Sequence, residues 1–152
     1  MYIYGLIGYP LGHSFSAGYF NEKFEAEGID AQYVNFEIPS IKEFKEVVEK
    51  SANLNGLNVT IPYKEQVIPL LDDLDKDTAK RIGAVNVIKI VRDGKKTKLV
   101  GYNSDILGFT SIFTAILAIT NGKAMMITSS TPIRNHNILL FLFFIFRTWF
   151  YW

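Results

Sequence analysis

Along the first sixty residues, the spacing of hydrophobic and polar positions changes in turn from that typical of a strand to that typical of a helix. Short apolar runs predict three strands, at residues 2–8, 31–37 and 54–61. Helical spacing of apolar residues predicts two helices between them, at residues 17–27 and 41–50. Ser40 and Glu43 have the spacing of a capping box at the start of the second helix. Because strands joined through helices pair in parallel, this order predicts a mostly parallel sheet with right-handed crossovers.

The pattern continues with shorter elements beyond residue 63. It predicts two helices at residues 64–71 and 77–82, and two strands at residues 84–91 and 98–102. The Asp93-Gly94 pair between these strands suits a hairpin turn, and a further helix at residues 106–117 would open at Asp105. We therefore expect an α/β fold of three layers, with a mostly parallel sheet, helices on both faces and an antiparallel hairpin at the edge.

Composition narrows the class of partner. The chain has 152 residues, 16 basic and 15 acidic side chains and no cysteine. This balance gives no electrostatic footprint for nucleic acid or an anionic membrane, so small molecules or proteins are the expected partners. The lack of cysteine excludes disulfides and thiolate catalysis, and it fits a reducing compartment. Since the amino terminus has no basic flank or cleavage site of a secretory signal, we expect a cytoplasmic protein.

The character of the sequence changes after Asp105, because every acidic residue lies at or before that position. Residues 138–152 are nearly all apolar or aromatic. This segment is shorter than the ~20 residues of a spanning helix and contains Arg147, so we expect no membrane anchor. A buried terminal strand, an oligomer contact and a tail read from a shifted frame remain alternatives.

Four polar clusters lie at predicted strand ends or turns. They are GYPLGHSFS (8–16), NVTIPYK (58–64), GAVN (83–86) and GYNSDILG (101–108). Each has an ordinary explanation: Ser16 can cap the following helix, Lys64 can be a surface lysine, and Asn103 to Asp105 can cap another helix. As ligands, hydroxyls and amides suit a carboxylate or a polyol, while Lys64 offers a charge or an acid/base group. The carboxyl ends of strands are where open α/β sheets bind ligands.

In this order and at these intervals, the four clusters resemble the substrate-binding domain of the shikimate dehydrogenase family, over residues 4–109. The family pattern is Gly-x-Pro-x-x-His-Ser-x-Ser, Asn-Val-Thr-x-Pro-x-Lys, Gly-Ala-x-Asn and Gly-x-Asn-Thr-Asp-x-x-Gly. Three departures occur, with Ala17 in place of a common proline, Phe20 in place of a frequent histidine and Ser104 in place of threonine. They affect the shape of the entry loop more than the proposed chemistry.

The resemblance implies roles for the matching residues. Ser14 and Ser16 would bind the substrate carboxylate. Thr60 and Asn86 would bind the ring hydroxyls, with Asn58 as a further candidate. Lys64 and Asp105 would be the catalytic pair, and Asp77 is a candidate contact to the cofactor. The implied reaction is the reversible, NADP-dependent reduction of 3-dehydroshikimate to shikimate, a step towards chorismate and aromatic amino acids. A lysine ammonium would stabilise charge on the reacting oxygen and exchange its proton. The structural alternative is a plain salt bridge between Lys64 and Asp105.

The family also uses an NADP-binding domain, and we expect this chain to lack it. Residues 123–127 (KAMMI) match its first strand, but TSSTPIRNHN follows in place of a glycine-rich turn. We therefore expect a substrate-binding domain at residues 1–109 and a truncated or frameshifted remnant at residues 110–152. The alternatives are a non-catalytic module that binds a small carboxylate, an inactive fragment, and a quinate/shikimate dehydrogenase. A homodimer also stays open.

Overall fold

Six strands form a single sheet in the computed structural model, which describes residues 1–94 and 96–105. The strands are β1 (Tyr2–Gly8), β2 (Ala31–Glu37), β3 (Leu54–Val59), β4 (Asp73–Leu74), β5 (Val87–Asp93) and β6 (Lys96–Tyr102). Their order across the sheet is β2-β1-β3-β5-β6-β4. The pairs β2-β1, β1-β3 and β6-β4 are parallel, and the pairs β3-β5 and β5-β6 are antiparallel. The expected mostly parallel α/β sheet is confirmed.

The register brings several strand ends to one edge of the sheet. Gly8, at the end of β1, is paired with Glu37, at the end of β2, while Ile7 is paired with Val59, at the end of β3. Because β5 runs antiparallel to β3 and β6 antiparallel to β5, the start of β5 and the end of β6 lie at this same edge. We call it the site edge, and all the loops discussed below leave or enter the sheet there.

The helices are shorter than the pattern predicted in the second half of the domain. They are α1 (Ser16–Ala26), α2 (Phe44–Lys50), α3 (Tyr63–Gln66) and α4 (Ala79–Ile82), with 3₁₀ turns at Ile41–Glu43 and Ile68–Leu70. The predicted helix at residues 64–71 breaks after Gln66, because Pro69 has no N–H to continue it. At the start of the 3₁₀ turn before α2, Ser40 Oγ accepts the N–H of Lys42 (3.3 Å).

Helices pack on both faces of the sheet, so the predicted three layers are confirmed. On one face, the rings of Phe20 and Phe24 in α1 contact Tyr33 and Tyr4, with ring centroids 4.4 and 6.1 Å apart. On the other face, residues of α2 and α3 join the main hydrophobic core with β1, β3 and β5. Its fully buried large side chains include Phe44, Ile7, Leu54, Leu57, Ile88, Val67 and Val85.

The antiparallel hairpin forms between β5 and β6, as the Asp-Gly pair indicated. Asp93 pairs with Lys96, and Gly94 takes a left-handed φ of 57°, which glycine adopts without a steric penalty. The first strand of the hairpin begins at Val87, three residues later than predicted, and the second begins at Lys96. The two-residue strand β4 lies outside the hairpin.

The chain divides into two compact units, Met1–Asn103 and Ser104–Trp152. The predicted helix at 106–117, the predicted strand at 123–127 and the expected remnant at 110–152 all lie outside the described residues. Within the described part of the chain, no helix is long and apolar enough to cross a membrane.

Candidate functional site

The loops that carry the first three polar clusters meet at the site edge, where the fourth begins, and backbone hydrogen bonds join them. The Tyr9 N–H donates to the Ile61 carbonyl (3.2 Å), which joins the serine loop to the NVTIPYK segment. The Val59 N–H donates to the Asn86 carbonyl (2.9 Å), and the Asn86 N–H donates to the Tyr102 carbonyl (3.1 Å). These bonds connect β3, the start of β5 and the end of β6 in turn.

The two serines of the first cluster stand at the start of α1. Ser16 is the first residue of that helix, and Ser14 Oγ accepts the Ser16 N–H (3.4 Å). Phe15 is the N-cap residue of α1 and Ser16 lies within the helix, so the explanation of Ser16 as the cap is wrong. Both serines are partly exposed, and His13 beside them is exposed. Within residues 1–94 and 96–105, the Ser16 hydroxyl makes no hydrogen bond to another side chain.

Glu37 supports this loop from the neighbouring strand, and the sequence reasoning missed it. The Leu11 N–H donates to Glu37 Oε2 (2.9 Å), while the Ser14 N–H donates to the Leu11 carbonyl (2.9 Å). The carboxylate thus fixes the middle of the loop that presents the serines. The only signal in the sequence is that Glu37 ends a predicted strand.

Gly8 lets the serine loop approach the NVTIPYK segment closely. A Cβ atom at Gly8 would lie 2.4 Å from Thr60 Cγ2 and 2.9 Å from Leu11 Cδ2, closer than real Cβ contacts. The Thr60 N–H donates to the Ile7 carbonyl (3.0 Å), which holds Thr60 beside the end of β1. Thr60 and the serine loop are therefore neighbours.

Asn58 is held by a tyrosine from another strand. The Tyr33 hydroxyl donates to Asn58 Oδ1 (2.8 Å), across a separation of 25 residues. Burial raises the pKa of the Tyr33 phenol well above its ordinary value. Tyr33 therefore stays a neutral donor, and this residue too was missed by the sequence reasoning.

Lys64 lies in the first turn of α3, five residues beyond the end of β3. Its carbonyl accepts the Val85 N–H (2.7 Å), which connects α3 to the GAVN segment. The side chain is partly buried and lines an open hollow of about 330 Å³. The other lining residues are Ile61, Pro62, Glu65 and Gln66. The structure places Lys64 at the site edge, on a short helix and not on the strand itself, and its role in binding stays a prediction.

The amide side chains of Asn86 and Asn103, beside β5 and β6 at the site edge, are buried. Asn86 is 7% exposed and Asn103 is 2% exposed. Asn103 Nδ2 donates to the Ala84 carbonyl (2.9 Å), and its N–H donates to Thr78 Oγ1 (3.1 Å). The Thr78 hydroxyl in turn donates to Asp75 Oδ1 (2.6 Å). Asn103 therefore acts as a structural link that holds the GAVN segment, a role the sequence did not indicate.

Asp77 and Asp105 are the remaining predicted residues. Asp77 is exposed in the segment before α4, and it lines a second hollow of about 310 Å³ with Asp73 and Asp75 among its neighbours. Asp105 belongs to the second compact unit, so its pairing with Lys64 stays a prediction. Among the described residues, no group of histidine, aspartate and glutamate side chains is arranged to hold a metal ion.

Comparison with known proteins gives a consistent answer for this part of the chain. Residues 6–88 match the family model described as "Shikimate dehydrogenase substrate binding domain". Shikimate dehydrogenase (NADP(+)) of Aquifex aeolicus is 39% identical over 127 residues, which cover 82% of this chain and 45% of that protein.

Two solved structures show the same fold. Shikimate dehydrogenase 1 from Peptoclostridium difficile has a TM-score of 0.63 and 38% identity, over 76% of this chain and 41% of that one. Shikimate 5-dehydrogenase from Thermus thermophilus, in complex with NADP(H) and shikimate, has a TM-score of 0.63 and 28% identity, over 76% of this chain and 42% of that one. The chain spans less than half the length of each of these proteins.

Proposed function

Because the chain belongs to the family of shikimate dehydrogenase substrate-binding domains, we propose that its site edge binds shikimate and 3-dehydroshikimate. One observation carries the proposal. Motifs that begin as far apart as Gly8 and Gly101 in the sequence meet at a single edge of the sheet, with hydroxyls and amides on neighbouring loops. A ring that carries one carboxylate and several hydroxyls requires this mixture of groups.

The roles follow from the chemistry of each side chain. Ser14 and Ser16 donate to the carboxylate from the start of α1, and Thr60, Asn58 and Asn86 bind ring hydroxyls from adjacent loops. Charge-assisted hydrogen bonds to a carboxylate are stronger than bonds between neutral groups, so the serines should contribute most to affinity.

We propose Lys64 and Asp105 as the pair responsible for proton transfer. An ammonium beside the reacting oxygen stabilises negative charge there and gives up the proton that makes it a hydroxyl. In the reverse direction the neutral amine takes that proton back. Asp105 would orient the lysine. Hydride is the part of the reaction that NADP(H) supplies in the full-length relatives.

The described residues do not fit the phosphates of NADP. The hollow beside Asp77 is lined by three carboxylates, Asp73, Asp75 and Asp77, with Lys76 the single basic residue among its lining residues. Carboxylates repel the phosphates of a dinucleotide. We therefore assign Asp77 at most a contact to an uncharged part of the cofactor and derive no step through it.

Calorimetric titration of the 152-residue chain with shikimate tests the proposal. We expect saturable binding, and Ser16→Ala should weaken it by about tenfold or more, since a hydrogen bond to a charged group is lost. Ser51→Ala is the matched control, because Ser51 lies at the opposite edge of the sheet, just before β3, and should leave affinity unchanged. Absence of binding, or equal affinity of the Ser16 variant, would contradict the proposal.

The same samples separate the remaining alternatives. An NADP-dependent absorbance assay distinguishes a catalytic chain from a module that binds without turnover, and titration with quinate distinguishes the two related substrates. Light scattering reads the oligomeric state, including the homodimer left open by the sequence. A cytoplasmic location is part of the proposal and rests on the cysteine-free sequence.

A further inference from the structure

A chain of contacts runs from α1 through Tyr33 to Asn58 at the site edge. Asn21 Oδ1 accepts the Tyr33 N–H (2.8 Å), and Asn21 Nδ2 donates to the Tyr33 carbonyl (3.0 Å). The Tyr33 ring packs on Phe20, and the residue is 3% exposed. Because both backbone groups and the ring are held, the phenol has one position from which to donate.

That donor determines how the Asn58 amide is turned. The Tyr33 hydroxyl donates to Oδ1, so Nδ2 points to the opposite side of the amide group. Asn58 is only partly buried, and no hydrogen bond from its Nδ2 is found in the described part of the chain. Two N–H donors are therefore offered to a ligand acceptor.

We propose that Tyr33 is a positioning residue, which orients the Asn58 amide so that Nδ2 donates to a ring hydroxyl oxygen of the substrate. The inference rests on the proposed function and adds a specificity determinant to it. Without the tyrosine hydroxyl, the amide can rotate by half a turn and present either its oxygen or its nitrogen. The correct orientation would then have to be selected at the moment of binding, which lowers affinity.

A double-mutant cycle measures this effect. Tyr33→Phe should weaken shikimate binding by about twofold or more, because only the fraction of chains with the amide correctly turned is competent to bind. In the Asn58→Ala background, the same substitution should cause no further loss, because Tyr33 acts through Asn58. An equal loss in both backgrounds would mean a structural role that is independent of Asn58, and it would overturn the inference.

Phe24→Leu serves as the control for stability. Phe24 packs on the same face of the sheet against the Tyr4 ring and is buried to a similar degree as Tyr33. This variant should lower the unfolding midpoint while leaving shikimate affinity unchanged. If it weakens binding as much as Tyr33→Phe does, general loosening of the α1 layer explains both results, and the positioning role is refuted.

A second measurement does not depend on any ligand. Heteronuclear NMR of the Asn58 side-chain NH₂ group should show a rigid amide in the wild-type chain and increased mobility in Tyr33→Phe. Equal rigidity in both would refute the positioning role even if the chain binds shikimate. Conversely, a chain that shows the change in mobility but binds no shikimate would refute the proposed function and leave the Tyr33–Asn58 coupling intact.

Discussion

Gly8 shows how closely packed the proposed site is around a single backbone position. The serine loop and the NVTIPYK segment approach each other here, and the position leaves no room for a side chain. Gly12 lies in the same loop, and a Cβ atom added there would meet nothing within 4 Å. The two glycines therefore form a matched pair, with one required by packing and one that is not.

We expect Gly8→Ala to lower the free energy of unfolding by about 1–3 kcal/mol, since Thr60 and Leu11 must move to admit the methyl group. The same displacement should weaken shikimate binding. Gly12→Ala should change neither quantity appreciably. Urea unfolding followed by circular dichroism measures the free energy of unfolding, and calorimetry measures the shikimate affinity. Similar behaviour of the two variants would show that the close approach at Gly8 is unimportant.

For single residues, the sequence indicated which polar side chains form the proposed site, but not which other side chains support them. Ser14, Thr60 and Lys64 lie in recognisable motifs at strand ends, so their convergence could be expected from parallel pairing. The supports provided by Glu37 and Tyr33 could not. Each depends on a contact across 25 or 26 residues, which forms only in the folded domain and which no local pattern records.

The C-terminus of α2 depends on a side chain from a distant strand. The guanidinium of Arg92, in β5, donates from one nitrogen to the carbonyls of Val48 (3.1 Å) and Ser51 (2.8 Å). The last carbonyls of a helix lack partners within it and carry partial negative charge, so a cation there is stabilising. Arg92 thereby ties the α2 layer to the antiparallel side of the sheet.

Replacing Arg92 by glutamine should lower the free energy of unfolding by about 1–2 kcal/mol, because a charged donor to a helix end is lost. Lys89→Gln is the control, since Lys89 is an exposed cation on the same strand. Chemical denaturation of both variants checks the difference. An equal, small effect in each would mean that Arg92 contributes no more than an ordinary surface charge.

Elements were predicted well where packing and pattern agree, and poorly where single side chains decide. The strands β1 and β2 have the predicted bounds, because each is a clear apolar run. The segment between β3 and β5 was predicted as longer helices. There, Pro69 and the Asp75–Thr78 hydrogen bonds break the chain into short turns, and the apolar spacing alone does not show this.

Across the domain, stability should depend on alkaline pH through its buried tyrosines. Burial raises the pKa of both Tyr33 and Tyr63 above the ordinary value of 10.0. Below pH 10 these phenols are protonated in the folded and the unfolded chain, so their contribution to stability is fully present. Above pH 10 the unfolded chain loses these protons while the folded chain retains them, and the stability contributed is lost progressively.

The free energy of unfolding should therefore fall above about pH 10, by up to about 1.4 kcal/mol per pH unit for each tyrosine concerned. Urea titrations between about pH 9 and pH 11 measure this slope. Tyr33→Phe should make the slope shallower, because one of the phenols is removed. An unchanged slope in that variant would show that Tyr33 ionises alike in both states.

The bonds that join the loops at the site edge also impose an order in time on a chain that is being synthesised. β1 is made first, yet it lies inside the sheet between β2 and β3, so it is paired on both sides only when β3 is available. Tyr9 must wait for Ile61, and Asn86 must wait for Tyr102. A nascent chain therefore leaves its serine loop without this bond until Ile61 has been made. Among the described residues, the proposed site is complete only after β6 has been added.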